Sequence, residues 1–457
     1  MDRALESRIT KLNDRGPADG KCVVYWMQSS LRAGENPALA AATSEANRRR
    51  LPLLVLFSID PAIPSANRRS FAFMAEALRD TVAKLEAAGA QVCIRTGDAV
   101  ENLVRVGKEV KPAVIVTDES HLNEGRSRRE AAAGRAGCAM FQVDGNVIVP
   151  VRLIPGEQYA AYTLRPRLAK LLEEHIRPVP QERPGRRAKR LAWSGLDPGE
   201  IMQTVDRLSL PEVPSSPLFR GGETEADKTL ERFVEERLDG YAENRNRPEL
   251  YFTSDLSPYL RFGCISPARV IRRVLERRGE LPEEVDAFVE EAFVRRELAE
   301  NFTFYDRRYR SLASLPDWAV RTLDDHRKDR RQHLFTLEEL EEGRTGDELW
   351  DAAQREMLVK GKMAGYMRMY WGKRVLEWTR TPEEALRILL YLNDKYEIDG
   401  RSPNGYAGVL WCFGKHDRAF AERPVYGKIR YMSPAAQRKK FDIREYIRRG
   451  SPADIKR

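Results

Sequence analysis

Five short apolar segments alternate with segments of helical periodicity over the first 145 residues of the chain. The strand-like segments cover residues 22–27, 53–59, 91–95, 113–117 and 140–143, and the helical ones lie near 35–50, 70–88, 98–108 and 125–136. Apolar strands that alternate with helices are typical of a parallel sheet covered by helices on both faces. No G-x-G-x-x-G or G-x-x-x-x-G-K-[ST] motif follows any of these strands, which disfavours a dinucleotide fingerprint or a P-loop in this half.

The sequence pattern changes after about residue 176. The stretches RPVPQERPGRRAKRLAWSGLDPG and PEVPSSP are rich in Pro, Gly and Arg, which is typical of a linker. From residue 224 helical patterns dominate, over 224–240, 266–278, 283–304, 336–343, 347–378, 382–396 and 442–449. We therefore predict an N-terminal extension (1–19), an α/β domain with a parallel sheet (20–176), an interdomain linker (177–223) and an all-α domain (224–457).

The charge is concentrated near the end of the chain. The formal net charge is +9, and residues 410–457 hold 13 Lys and Arg against 5 Asp and Glu. Such a basic segment predicts a polyanionic partner. The five cysteines are far apart and form no CxxC pair, so neither a disulfide scaffold nor a metal site is expected. No run of 18 apolar residues predicts a membrane span, and the polar N-terminus predicts a cytoplasmic protein.

Tryptophan is concentrated in the second half of the chain. Trp371 and Trp378 are seven residues apart on one predicted helix, so they share a face about 10.5 Å apart along the axis. Trp350 lies 21 residues before Trp371. Core packing is the ordinary role of tryptophan, but indoles grouped in this way could also transfer electrons.

Six motifs together resemble the DNA photolyase/cryptochrome family, and within it the class II cyclobutane pyrimidine dimer photolyases. The motifs are YWM at 25–27, LSPYLRFGCISP at 256–267, RRELAENF at 295–302, GKMAGYMRMYWGKRVLEW at 361–378, LNDKYEIDGRSPNGYAG at 392–408 and GKIRYMS at 427–433. The resemblance implies a Rossmann-like antenna domain followed by a helical FAD domain, in a monomer that binds UV-damaged DNA. The expected reaction is light-driven: reduced, anionic FAD passes an electron to a flipped-out dimer and the cyclobutane ring splits. A second, antenna chromophore of deazaflavin or folate type would be possible, and its identity stays open.

The resemblance also implies the residues of the flavin site. Hydroxyl and main-chain N–H groups of the segment 253–258 suit a pyrophosphate, although an ordinary helix N-cap would look the same. The expected cofactor contacts there are Tyr241, Ser254, Leu256 and Ser257. Arg368 and Asp399 match an Arg–Asp pair beside the flavin ring. Asn393 is preferred as the residue that faces flavin N5, and Asn404 is the alternative.

The remaining expected residues concern electron transfer and DNA. Trp350, Trp371 and Trp378 are expected to feed electrons to the flavin. Glu291 is expected to hydrogen-bond the dimer carbonyls, although a surface ion pair with Arg295 would fit the same i,i+4 spacing. Met369 and Trp411 match apolar walls around the dimer, and Arg418 and Arg430 match residues that bind phosphates or fill the gap left by the dimer. Phe420 stands where the family usually has Trp.

Three other functions fit the sequence less well. A (6-4) photolyase is disfavoured because no histidine stands in a matching motif. A cryptochrome-like light sensor is disfavoured because such proteins tend to carry long C-terminal extensions, whereas this sequence stops soon after its last motif. A DNA-binding protein without catalysis would leave the tryptophan and Arg–Asp motifs unexplained.

Overall fold

A six-stranded, mainly parallel sheet forms the first half of the computed structural model, which describes residues 3–185 and 191–449. Its spatial order is β1-β6-β5-β2-β3-β4, and only the β1–β6 pair is antiparallel. The strands are β1 Ile9–Lys11, β2 Cys22–Trp26, β3 Leu53–Ile59, β4 Gln91–Thr96, β5 Pro112–Asp118 and β6 Ala139–Val143. The predicted strands and their alternation with helices are confirmed.

Helices cover both faces of this sheet. They are α1 Arg3–Glu6, α2 Pro37–Arg49, α3 Arg68–Ala87, α4 Ala99–Val110, α5 Asn123–Arg135 and α6 Ala161–His175. The central strand β2 is buried along its whole length, and its alternate residues enter two different cores: Val23 and Tyr25 face one, and Val24 and Trp26 face the other. Burial on both faces explains why the strands are continuously apolar.

Two segments that the sequence placed outside the α/β domain pack against it. Residues 9–11 of the predicted N-terminal extension form the edge strand β1, whose three-residue length gives no recognisable strand pattern. Within the predicted linker, α7 (Ile201–Asp206) packs on α3 and buries Ile201 and Val205. Trp193 packs on the other face of the sheet. Composition alone could not show these contacts, because Pro- and Arg-rich segments occur both in linkers and in segments that pack on the surface of a domain.

The second half is helical. Its helices are α8 Glu223–Glu236, α9 Tyr241–Asn244, α10 Ser257–Phe262, α11 Pro267–Leu275, α12 Pro282–Val289, α13 Arg296–Tyr305, α14 Asp317–Asp325, α15 Leu337–Glu342, α16 Glu348–Lys360, α17 Gly365–Glu377, α18 Pro382–Tyr396, α19 Pro403–Trp411, α20 Pro434–Arg438 and α21 Ile443–Arg449. Together with the sheet, this architecture confirms the predicted fold class.

Two predicted helices differ in detail. The segment 347–378 was expected as one helix, but it is divided into α16 and α17 at Gly361, whose φ of 76° ends α16 in the left-handed conformation. The segment 283–304 is continuous but contains one π-helical stretch, Glu290–Arg295, between α12 and α13. Such stretches widen the helix locally and often occur at functional sites.

Polar contacts from α13 join the two halves. Glu297 accepts a hydrogen bond from the Ile148 amide at 2.7 Å, and Arg296 donates to the Asn146 carbonyl at 2.7 Å. The His121 ring, beyond the end of β5, lies 2.8 Å from Glu300 on α13 and 3.2 Å from Asp144. No helix among the described residues is long and apolar enough to cross a bilayer.

Candidate active site

A cavity of about 1060 Å³ lies between the carboxyl ends of β2, β3 and β5 and the helical half. It is lined by most of the predicted site residues: Tyr241, Ser254, Leu256, Ser257, Glu291, Arg368, Met369, Asp399, Asn404, Trp411 and Arg430. These residues come from seven separate stretches of sequence, so the fold brings them together. Asn393, Arg418 and the three tryptophans Trp350, Trp371 and Trp378 lie outside the lining.

The predicted Arg368–Asp399 pair is formed inside the cavity. Arg368 on α17 donates from Nη2 to both carboxylate oxygens of Asp399, at 2.9 and 3.0 Å. The same nitrogen donates to Glu397 at 2.8 Å, and Glu397 also accepts from the Met363 amide. One cation is therefore shared between two buried carboxyl groups, of which the sequence predicted one.

The two carboxyl groups differ in proton affinity. Burial, which Arg368 only partly offsets, raises the pKa of Glu397 to about 8. For Asp399, burial alone would raise the pKa, but Arg368 together with Ser257 and Lys362 outweighs burial and holds the pKa below its ordinary value. At neutral pH the site therefore combines a charged Arg368–Asp399 pair with a Glu397 that readily holds a proton.

A second polar group surrounds the turn before α10. Asp255, in the left-handed conformation (φ 57°), pairs with Lys362 at 3.2 Å and with Arg237 at 2.9 Å. These cations hold the pKa of Asp255 below its usual range despite its burial. Ser254 and Ser257, on either side of Asp255 and Leu256, line the cavity. Hydroxyls, main-chain amides and a lysine thus face the same space.

Glu291 lies on the π-helical stretch and lines the cavity. It accepts a hydrogen bond from Arg245 at 2.5 Å and forms the i,i+4 ion pair with Arg295 at 3.2 Å. The ion pair with Arg295 is therefore formed, and Glu291 also faces the cavity, where its expected contact with the dimer stays a prediction. The Arg295 guanidinium in turn lies over the Trp411 ring, 5.3 Å from its centroid.

The two predicted DNA-contacting arginines meet at one aromatic ring. Arg418 and Arg430 are exposed, and their guanidinium carbons lie 5.3 and 5.0 Å from the centroid of Phe420. Arg430 also lines the cavity. A pair of cations held on an aromatic ring at the rim of a cavity forms a suitable surface for a phosphate backbone.

The three predicted relay tryptophans form one buried group behind the cavity. Trp350 on α16 stacks on Trp371 with ring centroids 6.3 Å apart and an interplanar angle of 10°. It also meets Trp378 edge-to-face at 5.5 Å. Trp350 is thus the contact between Trp371 and Trp378, which the single-helix interpretation of 347–378 did not anticipate. Trp371 lies one helical turn after Arg368.

The two candidate asparagines occupy different places. Asn404 lines the cavity. Asn393 on α18 is buried, donates to Asp394 at 2.9 Å, and lies against Gly405, which does line the cavity. Asn393, the residue preferred from the sequence, therefore lies behind Gly405 of the cavity wall. The alternative, Asn404, lies on the wall itself.

Several lining residues were not anticipated: Arg245, Lys362, His121 and His416. His121 is held between Asp144 and Glu300. Burial alone would lower its pKa, but these two carboxylates raise the pKa to about 10. Sequence could not find such residues, because each becomes polar lining only through partners more than 20 residues away. Within 3–185 and 191–449 no cluster of three His, Cys, Asp or Glu is suited to a metal.

Comparisons with known proteins agree with this architecture. A family model described as DNA photolyase matches residues 23–185. The chain is 43% identical to a deoxyribodipyrimidine photo-lyase of Methanothermobacter thermautotrophicus, over 97% of both chains. It is 38% identical to one of Arabidopsis thaliana, over 96% of this chain and 91% of the relative.

A solved structure shows the same fold at much lower identity. An archaeal photolyase from Sulfolobus tokodaii, described as holding two FAD molecules with the implication of a novel light-harvesting cofactor, superposes with a TM-score of 0.68 at 18% identity. The match covers 93% of this chain and 89% of that one. The two deoxyribodipyrimidine photo-lyases are 43% and 38% identical to this chain over nearly its full length, which confirms the resemblance inferred from the motifs. The chain belongs to the DNA photolyase family, the enzymes that use light to repair pyrimidine dimers in DNA.

Proposed function

We propose that this chain is a class II photolyase that splits cyclobutane pyrimidine dimers and holds FAD in the cavity between its two halves. The observation that carries this proposal is the Arg368–Asp399 pair on the cavity wall, with the buried Glu397 bonded to the same arginine and the stacked tryptophans one helical turn away. It offers a cation to a negatively charged cofactor and an oxidisable path leading to it. We further propose a cytoplasmic monomer whose partner is UV-damaged DNA.

The lining fits FAD in size and in chemistry. Ordinary ligand pockets enclose about 300–1,000 Å³, so this cavity has room for a large dinucleotide together with part of a substrate. Lys362, Ser254 and Ser257 supply the donors that a pyrophosphate needs. Tyr241 and Leu256 supply apolar contacts beside them. Reduced FAD, when bound, would supply the light-excited electron for ring opening.

The residues of this chain have separate tasks in that scheme. Arg368 stabilises negative charge on the flavin ring, and Asp399 holds Arg368 in position. Trp371, Trp350 and Trp378 deliver electrons when the cofactor has been oxidised. Asn393 or Asn404 provides an amide that can donate or accept a hydrogen bond at flavin N5. We favour Asn393. A cofactor bound against Gly405 would be separated from the Asn393 amide by that one glycine.

The lesion side of the cavity is assigned to Glu291, Met369 and Trp411. A dimer is poorly stacked, so its extrusion costs less than extrusion of a normal pair, by about a few kcal/mol. Met369 and Trp411 then replace lost stacking, and Glu291 places a carboxyl group beside the carbonyls that become more basic on electron uptake. Arg418 and Arg430 bind the phosphates around the vacated position.

Glu291 and Arg430 should therefore differ in the kind of effect that they have. Arg430→Ala should weaken binding to all duplexes and lower the salt dependence of affinity by about one counterion. Glu291→Ala should bind dimer DNA almost normally but lose several-fold in repair quantum yield. Glu290→Ala is the matched control for Glu291, since Glu290 is its neighbour and pairs with Arg165 and Arg295 but does not line the cavity. An unchanged yield in Glu291→Ala would remove that residue from the catalytic group.

A second chromophore is proposed for the part of the cavity within the α/β half. There the cavity reaches Gln28 and Ser29 after β2, Asp60 after β3, and His121 after β5. Strand order reverses direction at β2 and β5, and ligands of open α/β sheets bind at such switch points. The archaeal photolyase structure that is described as holding two FAD molecules supports the proposal of an additional chromophore.

The second chromophore can be tested by absorption. Flavin-loaded protein titrated with a deazaflavin, and separately with a reduced folate, should develop one additional near-UV or blue band that saturates at one equivalent. Excitation in that band should then drive repair. Failure of both compounds to bind would restrict this chain to FAD alone and leave the repair assignment intact.

A further inference from the structure

His416 is a buried imidazole on the cavity wall with one nitrogen unused. It lies five residues beyond Trp411, is 7% exposed, and lines the cavity. Nδ1 is 2.8 Å from the Tyr159 carbonyl oxygen. Nε2 is buried and has no hydrogen-bond partner among the residues that the structure describes. Buried polar atoms are nearly always paired, so an unpaired one on a cavity wall points to a ligand.

The tautomer of His416 follows from its one hydrogen bond. A carbonyl oxygen can only accept, so Nδ1 carries the proton and donates to Tyr159. Burial lowers the pKa of His416 to about 4, which keeps the ring neutral at pH 7. Nε2 therefore presents a lone pair, and its missing partner must be a hydrogen-bond donor.

The neighbours of His416 place it on the lesion side of the cavity. Its ring meets Trp411 edge-to-face at 6.2 Å, and Trp411 carries the guanidinium of Arg295, which pairs with Glu291. Phe302 packs on another edge at 5.5 Å. The cations of the flavin side, Arg368 and Lys362, bond to other partners and not to His416.

We propose that Nε2 of His416 accepts a hydrogen bond from the imide N3–H of one thymine of the flipped-out dimer. In a thymine dimer the imide groups are the only N–H donors of the bases, whereas the carbonyls can only accept. Glu291 would bind the carbonyls and His416 the imide, so that the pocket recognises both the acceptors and the donor of the base. This inference rests on the assignment of Glu291 and Trp411 to the lesion side. The flavin ring carries the same imide chemistry, and the experiment separates the two sources.

The test uses His416→Asn in the full-length, flavin-loaded protein. Residue 416 has a φ of 59°, which Asn adopts more readily than other side chains, so the variant should fold. The Asn amide can replace Nδ1 as donor to Tyr159 but has no atom at the position of Nε2. The exposed His333, outside the cavity lining, provides the matched control His333→Asn.

Both enzymes are assayed against thymine dimers methylated at N3 of the 5′ or the 3′ base. For wild type and His333→Asn, methylation of one of the two bases should weaken binding about three- to tenfold, the range of a single hydrogen bond. His416→Asn should bind the unmodified dimer more weakly by a similar factor and lose little more on that methylation, because the two changes remove the same contact.

Each result has a distinct meaning. Equal losses on methylation in wild type and His416→Asn would overturn the proposal. A shifted flavin spectrum or flavin affinity in His416→Asn, with dimer binding unchanged, would assign Nε2 to the flavin imide and also overturn it. If wild type bound dimer DNA no better than intact duplex, the repair function itself would fail, and the inference with it.

Discussion

Replacing Trp350 by Phe should almost abolish photoreduction of the oxidised flavin while leaving repair by chemically reduced enzyme close to normal. Trp350 is the only described indole in ring contact with both Trp371 and Trp378, so its loss interrupts the group at its centre. In the proposed scheme the electron for repair comes from the reduced cofactor and does not pass through the tryptophans. The variant should fold, because the lost hydrogen bond from Nε1 to the Trp371 carbonyl costs about 1–3 kcal/mol.

The measurement is the rate of flavin reduction under blue light with an external reductant, followed by dimer repair after dithionite reduction. Trp193→Phe is the matched control, since Trp193 packs against the sheet and has no ring contact with the three tryptophans of the proposed relay. Trp371→Phe should give the same loss of photoreduction. Wild-type photoreduction in Trp350→Phe would show that electrons reach the flavin by another route.

The α/β half could be predicted well because its information is local. Each strand is a short apolar run between breakers, and each helix shows its own periodicity. Edge strand β1 escaped prediction because its three residues pair with β6, more than 120 residues away. The break at Gly361 escaped because a glycine within an otherwise helical pattern is tolerated as often as it ends a helix.

The site was predictable in a different way. The family resemblance implied Arg368, Asp399 and Glu291, all of which line the cavity, but not the residues that set their chemistry. Glu397 lies two positions before Asp399 in a segment where an acidic residue ordinarily faces solvent. Only the fold shows that it is buried against Arg368 and the Met363 amide. The tautomer of His416 similarly depends on its hydrogen bond to Tyr159, which belongs to the other half of the chain.

Arg368→Met should cause the loss of both flavin and stability, and the loss of stability should grow with pH. Removing one partner of a buried ionic group costs roughly 3–5 kcal/mol, because the remaining charges are left uncompensated. Met nearly preserves the volume, so the effect reports the charge. Without Arg368, Asp399 and Glu397 face each other in a buried site, and each disfavours ionisation of the other.

The sign of the pH dependence follows from the two states of Asp399. In wild type its pKa is lowered on folding, so its contribution is present above the unfolded pKa of about 3.9 and lost as pH falls through the folded value. In Arg368→Met the pKa of Asp399 should be raised on folding, so the folded state retains a proton that the unfolded state releases. Stability of the variant should then decrease as pH rises from 5 to 8, and its difference from wild type should widen over that range.

The experiment is denaturant unfolding of wild type, Arg368→Met and the control Arg387→Met at pH 5, 6.5 and 8, with flavin content measured at each pH. Arg387 is exposed on α18, so its replacement should leave both quantities unchanged. The double variant Arg368→Met/Asp399→Asn should recover stability at pH 8 but not flavin binding, because it removes the unpaired carboxylate without restoring the cation. A stability difference that did not vary with pH would mean that Arg368 acts through packing and not through its charge.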